Sequence, residues 1–121
     1  MSEITYASVK VGDVIPALTK DEITRITLGL FAGASGDHNP IHIDIDFARA
    51  AGMEDVFAHG MLSMAYLAQI LTNWVPQTAL RSYAVRFTAI THLKDRISCS
   101  GEITEKFQEN GETRVRVAVR A

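Results

Sequence analysis

The chain has 121 residues, of which 47% are hydrophobic and 21% charged, and its formal net charge is −2. This length and composition predict one soluble domain over residues 1–121 with a buried core of its own. The nearly neutral charge gives no electrostatic reason to expect a nucleic acid or an anionic membrane as partner.

Cysteine usage and the N-terminal sequence indicate a cytoplasmic location. Cys99 is the only cysteine, so an internal disulfide is excluded and a reducing compartment fits. Met1–Lys10 lacks a long apolar run, so we expect no signal peptide. The longest apolar region, Val56–Val75, is interrupted by polar residues and is interpreted as a buried helix, not a membrane span.

The first predicted helix follows a loosely extended segment, residues 5–23. Thr24 is a good N-cap, and the helix is expected to run to about Ser35, where Gly36 ends it. Five residues share one face of this helix: Ile23, Ile26, Thr27, Leu30 and Ala34. A loop over residues 37–44 comes next, and Asp46–Ala51 is predicted as a short helix that Gly52 ends.

Residues 59–74 form the longest predicted helix, which ends before Pro76. Its apolar residues occupy nearly every direction around the axis: Met61, Leu62, Met64, Ala65, Leu67, Ala68, Ile70, Leu71 and Trp74. A helix that is apolar on all sides is usually buried on all sides, and in so small a domain only a wrapping sheet can cover it. We therefore expect one long central helix surrounded by a sheet.

The remainder of the chain has the pattern of antiparallel strands. Leu80–Ile90 is rich in β-forming residues, and Arg96–Phe107 and Glu112–Ala121 alternate polar and apolar residues. Asn110-Gly111 between the last two segments predicts a hairpin with a type I′ turn. Val115, Val117 and Val119 would then share one face of the last strand, and Arg114, Arg116 and Arg120 the other. Helices followed by a β-meander define an α+β fold.

The heptapeptide Gly36-Asp37-His38-Asn39-Pro40-Ile41-His42 is the most informative part of the sequence. Pro40 excludes a helix through it, so Asp37 and His42 can converge on one small volume. A carboxylate and an imidazole in such a loop can move protons near neutral pH. The helix start at His59-Gly60 adds backbone N–H groups that are open to an approaching oxygen.

These residues resemble a known family. Gly-Asp-x-Asn-Pro-x-His, followed by Ala48 and by His59-Gly60-Met61, is similar to the MaoC-like, (R)-specific enoyl-thioester hydratase/dehydratase family. Val11-Gly12-Asp13 and the segment over residues 85–89 match the flanks, so the resemblance covers residues 8–120. It implies a hot-dog fold, in which an antiparallel curved sheet wraps around one long central helix.

The resemblance also implies a reaction and a role for each motif residue. The expected reaction interconverts a trans-2-enoyl thioester and an (R)-3-hydroxyacyl thioester of coenzyme A or an acyl carrier protein. Asp37 and His42 would share the proton transfers, and the Gly60 N–H would hold the thioester oxygen. Asn39 would shape the pocket and help to orient this pair. His59 would shape the start of the central helix or accept a backbone hydrogen bond, and a catalytic or substrate-binding role is the alternative. No cofactor is implied.

Other interpretations of these residues remain open at this point. His38 and His42 have the spacing of a metal pair on a helix, but Pro40 breaks that helix, so we expect no metal site. An inactive hot-dog subunit of a hetero-oligomer is the main alternative to an enzyme. A thioesterase is a third interpretation, but residues 61–74 lack the Asp or Glu that such enzymes usually carry on this helix.

The resemblance finally leads us to expect an oligomer. Hot-dog domains commonly pair as homodimers or assemble further, some with a second hot-dog subunit. Family domains usually add one more strand after the hairpin that here ends near Ala121. An exposed sheet edge is therefore expected, and a partner subunit is one way to cover it.

Overall fold

The computed structural model describes residues 3–121, which divide into two compact units. The first unit comprises residues 3–19, 66–83 and 98–121, and the second comprises residues 20–65 and 84–97. The regular elements are β1 (Val14–Thr19), α1 (Arg25–Ser35), α2 (Ile45–Ala50), α3 (Gly60–Thr72), β2 (Ser98–Glu109) and β3 (Glu112–Arg120). Single turns of 3-10 helix occur at Tyr6–Ser8, Pro40–His42 and Gln77–Ala79. Within residues 3–121, no helix has both the length and the apolar character needed to cross a membrane.

The first unit contains an antiparallel sheet of strand order β1-β2-β3. Cys99, Gly101 and Ile103 alternate on the buried face of β2. Gly101 pairs with Ile15 of β1, and a Cβ at Gly101 would lie 2.9 Å from the Ile15 Cδ1 atom. A side chain at position 101 would therefore have to displace the end of the Ile15 side chain, which already occupies that space.

The predicted hairpin is confirmed. Glu109 pairs with Glu112 across the turn, and Asn110 and Gly111 have φ values of 52° and 78°. A type I′ turn requires two positive φ angles, which asparagine tolerates and glycine adopts freely. The expected alternation in β3 is present in part, since Val115, Val117 and Val119 are half-buried and Arg116 and Arg120 are exposed, but Arg114 is half-buried as well.

Helix α1 in the second unit has the predicted ends but a different buried face. The Thr24 side chain accepts a hydrogen bond from the Thr27 N–H at 3.1 Å, and Gly36 ends the helix with a φ of 77°. Leu28 and Ala32 are buried, whereas Ile26 and Leu30 are 74% and 71% exposed. The face that we derived from the apolar spacing is therefore wrong for this chain. Both stripes of α1 are apolar, so spacing alone does not decide which one packs inward.

Helix α3 is shorter and less enclosed than the sequence predicts. It runs over Gly60–Thr72, and Leu62, Leu67, Ile70 and Leu71 are buried. Met61 is 54% exposed, and Ala65 is exposed as well. The expectation of burial on every side is thus wrong for the single chain. Much of a folded protein's surface is apolar, so an apolar residue on a helix need not be buried.

The predicted strand over Leu80–Ile90 is not formed. None of residues 80–97 belongs to a regular strand, although an isolated bridge joins His92 to Phe57. A strand is defined by its hydrogen-bonded neighbour, and β-propensity reports how well a side chain fits a paired, half-buried surface. The described residues supply no such neighbour for this segment, so its β-forming side chains do not produce a strand.

Candidate active site

The candidate site lies within the second unit and begins where α1 ends. After Gly36, the Asp37 N–H donates to the Ser35 hydroxyl at 3.1 Å, and Asp37 Oδ1 accepts from the Asn39 N–H at 3.2 Å. This second bond forms an Asx turn, which fixes the direction in which the chain leaves the helix. Asp37 is exposed, so its carboxylate is open to an incoming molecule.

Asn39 positions the next functional residue through the backbone. Its side-chain oxygen accepts from the Ile41 N–H at 3.1 Å and caps the 3-10 turn Pro40–His42. His42 stands at the end of that turn, half-buried. Through this cap Asn39 fixes the turn that places the imidazole, and its role in shaping a pocket stays a prediction.

A backbone carbonyl fixes the tautomer of His42. Its Nδ1 lies 2.7 Å from the carbonyl oxygen of Phe57. Since a carbonyl oxygen only accepts, Nδ1 carries the hydrogen, and Nε2 of the neutral ring is left with a free lone pair. His42 therefore presents a proton-accepting nitrogen, which is what a general base requires.

His59 comes from the residue before α3 and is 1% exposed. Its Nε2 donates to the Asp37 carbonyl oxygen at 3.1 Å, and its ring stacks on that of His42 with centroids 4.0 Å apart. Phe31 packs edge-on against the same ring, with centroids 5.0 Å apart. Burial is the main cause that lowers the pKa of His59, and the neighbouring His42 lowers it further.

Three groups from separate segments converge at this point. Asp37, His42 and His59 each offer one ligand-type atom, and these three atoms lie within 4.8 Å of one another. His38, which the sequence pairs with His42 by spacing, is exposed and does not belong to the cluster. One carboxylate and two imidazoles have the chemistry of a divalent transition-metal site as well as that of an acid–base site.

The first residue of α3 provides a hydrogen-bond donor. Among residues 3–121, the Gly60 N–H donates to no backbone or side-chain acceptor, as is usual in the first turn of a helix. The ring of Phe87 covers the Cα of Gly60, since a Cβ there would lie 3.2 Å from Phe87 Cε1. An oxygen bound at this N–H would also meet the favourable field of the helix N-terminus.

Sequence reasoning missed several groups in this site. The Phe57 carbonyl has no signal in the sequence, because any residue would supply it. Phe31 and Phe87 are apolar residues whose contacts depend on tertiary packing.

The fold and the site together define a class of protein, an α+β domain that carries an Asp–His cluster beside a helix start. The family model described as "MaoC like domain" matches residues 8–121, so the chain belongs to the MaoC-like family. The unliganded (R)-hydratase PhaJ1 from Pseudomonas aeruginosa matches 98% of the chain and 91% of its own, with a TM-score of 0.76 and 26% identity. The chain has the hot-dog fold of these hydratases.

Proteins of similar sequence fall in the same group. The (R)-specific enoyl-CoA hydratase of Rhodospirillum rubrum is 29% identical over 68% of the chain and 58% of its own length. The mitochondrial 3-hydroxyacyl-[acyl-carrier-protein] dehydratase of Arabidopsis thaliana is 32% identical over 73% of the chain and 52% of its own length. The chain thus spans about half the length of these curated relatives, and 5% of the yeast fatty acid synthase subunit beta, which it also resembles.

Proposed function

We propose that this protein catalyses the reversible addition of water to a trans-2-enoyl thioester, giving an (R)-3-hydroxyacyl thioester. The observation that carries the proposal is the convergence of Asp37, His42 and His59 within 4.8 Å. The similarity to the R. rubrum hydratase and the A. thaliana dehydratase supports the same reaction class. No cofactor is needed, because hydration only adds the elements of water.

The Asp37–His42 pair supplies the proton transfers. One member of the pair takes a proton from water while the water oxygen forms a bond to the β-carbon. The π electrons of the double bond move toward the thioester oxygen, and a proton from the pair then reaches the α-carbon. The pair ends in its starting protonation state, so dehydration follows the same path in reverse.

The Gly60 N–H is proposed as the donor for the thioester oxygen, on which negative charge builds during the reaction. Its lack of a partner among the described residues leaves it free for this role. A backbone donor of this kind is fixed before the substrate arrives, and each one is typically worth about 3–4 kcal/mol of barrier.

The intact cluster argues against the two other functions raised by the sequence. A subunit that only binds acyl chains has no use for two oriented imidazoles beside a carboxylate. A thioesterase of the usual hot-dog type needs an acidic residue on the central helix, and α3 has none within Gly60–Thr72. We therefore favour hydratase chemistry over both.

The proposal extends to substrate carrier, assembly and location. The relatives' names include both an enoyl-CoA hydratase and an acyl-carrier-protein dehydratase, so we propose a thioester of one of these two carriers.

We also propose a homodimer or higher oligomer, alone or with a second hot-dog subunit. The exposed apolar side chains of Ile26 and Leu30 support an assembly. So does the similarity to the ChsH1–ChsH2 complex from Mycobacterium tuberculosis, which is 26% identical with a TM-score of 0.73 and covers 92% of this chain and 86% of that one. The lone Cys99 fits a cytoplasmic location.

The decisive experiment follows the absorbance of the conjugated enoyl thioester. Purified protein is mixed with trans-2-butenoyl-CoA and trans-2-decenoyl-CoA, and the initial rate of absorbance loss is measured. His42→Ala should abolish the loss, whereas His38→Ala, which changes an exposed histidine of the same loop, should leave it unchanged. Release of free thiol without hydration would instead indicate a thioesterase, and a rate that survives His42→Ala would refute the proposed base.

A further inference from the structure

A buried side-chain nitrogen of the site makes no hydrogen bond within the described part of the chain. Among the described residues, His59 Nδ1 is the buried side-chain nitrogen or oxygen atom that makes no hydrogen bond. An unsatisfied polar atom at a residue that is 1% exposed calls for a specific explanation, such as a bound water or ion.

The hydrogen-bond pattern fixes what this atom can do. His59 Nε2 points at the Asp37 carbonyl oxygen at 3.1 Å, so Nε2 must carry the hydrogen. In the neutral ring Nδ1 is therefore a bare acceptor, and burial, which lowers the pKa of the ring, disfavours the protonated form. The ring cannot turn over without losing the bond to Asp37.

The two stacked imidazoles therefore have different tasks. His42 is half-buried and has its free nitrogen at Nε2, so that nitrogen can accept a proton from the reacting water. His59 lies in a drier position and 4.0 Å from the His42 ring, where a second positive charge is unfavourable. His59 is suited to accept a hydrogen bond without taking the proton.

We infer that His59 Nδ1 accepts an O–H hydrogen bond from the reacting water and, in the reverse direction, from the 3-hydroxyl of the substrate. This inference rests on the proposed function and adds a third group to the Asp37–His42 pair. Water has two hydrogens, of which only one is transferred. His59 holds the other, which turns the water's lone pair toward the β-carbon.

Two substitutions separate this role from a structural one. The amide oxygen and nitrogen of asparagine are the same number of bonds from Cα as His59 Nδ1. The amide oxygen and nitrogen of glutamine are the same number of bonds from Cα as His59 Nε2. His59→Asn thus keeps an acceptor near Nδ1 and loses the tether to the Asp37 carbonyl. His59→Gln keeps the tether and loses the acceptor.

Under the inference, His59→Gln lowers kcat by about ten- to a hundredfold, and His59→Asn retains most of it. If His59 only tethers the loop, the order is reversed, and if its stacking on His42 matters, both variants fall equally. Either of these results would overturn the inference. Melting temperatures of both variants, measured alongside, show whether each is folded at the assay temperature.

Nitrogen-15 NMR of the histidine rings tests the same inference without activity. The wild-type protein should show His59 as the tautomer protonated on Nε2, with an Nδ1 resonance that moves when (R)-3-hydroxybutyryl-CoA is added. The exposed His92 is the control and should not move. A proton on Nδ1, or a stoichiometric transition metal that disappears in His59→Gln, would overturn the inference. An inactive wild-type protein with the expected tautomer would instead count against the proposed function alone.

Discussion

Replacing Asp37 by asparagine isolates its charge from its structural contacts. The Oδ1 atom that accepts from the Asn39 N–H at 3.2 Å is still present in asparagine, so the Asx turn is kept. The hydrogen bond from His59 goes to the Asp37 backbone carbonyl, which the substitution does not alter. The loop and both imidazoles should therefore stay in place while the carboxylate is lost.

The expected loss follows from what a proton-transfer group contributes. Removing a positioned acid or base usually costs about 100- to 10,000-fold in turnover. At about 1.4 kcal/mol for each factor of ten, this is about 3–5 kcal/mol of activation free energy. KM should change little, because the exposed Asp37 acts on the water and not on the carrier.

Steady-state rates with trans-2-enoyl-CoA measure this effect, and Asp44→Asn is the matched control. Asp44 lies in the same loop and caps α2 through its Oδ1, 2.9 Å from the Asp46 N–H, a role that asparagine fills equally well. The control should keep both its rate and its melting temperature. A folded Asp37→Asn protein with near-normal kcat would refute the assignment of Asp37 to the mechanism.

Three further perturbations test other parts of the structure. Gly60→Val should lower kcat/KM by up to about 100-fold, because the new side chain meets the Phe87 ring and obstructs the approach of an oxygen to the Gly60 N–H; unchanged kinetics would contradict the role of this N–H as donor to the thioester oxygen. Gly101→Ala should destabilise the protein by about 1–3 kcal/mol in urea unfolding, since the added Cβ meets the buried Ile15. The neutral His59 adds stability that is fully present above its unfolded pKa of about 6.5 and is lost as the pH falls toward its lowered folded pKa. The melting temperature of the wild type should thus fall more steeply below that pH than that of His59→Gln, and parallel curves would contradict this.

The elements that the sequence predicts well are those whose signals are local. The Thr24 cap, the Gly36 end of α1 and the Asn110-Gly111 turn depend on contacts within four residues, and all three are found where expected. The Asp–His loop belongs to the same group, because Pro40 excludes the competing helix. The single-domain assignment over residues 1–121 stays a prediction.

The predictions that were wrong concern features decided at long range. Which stripe of α1 is buried depends on the surface it meets, and the segment over residues 80–90 needs a neighbouring strand to become one. The enclosure of α3 was inferred from composition alone, yet Met61 remains more than half exposed. In each case the local sequence was compatible with the predicted structure. The missing information was which surface or strand the element would pack against or pair with.

The proposed chemistry of the site depends on two backbone carbonyls that no sequence motif encodes. Asp37 contributes its carboxylate to the cluster and its backbone carbonyl to His59, and the Phe57 carbonyl does the same for His42. These two carbonyls decide which nitrogen of each ring is free, and so which ring can act as a base and which as an acceptor. A carbonyl is present at every residue, so the motif can specify it only through the turn that aims it. The backbone path of residues 36–42 therefore aims the Asp37 carbonyl at His59 and places the ring of His42, whose tautomer the Phe57 carbonyl then decides.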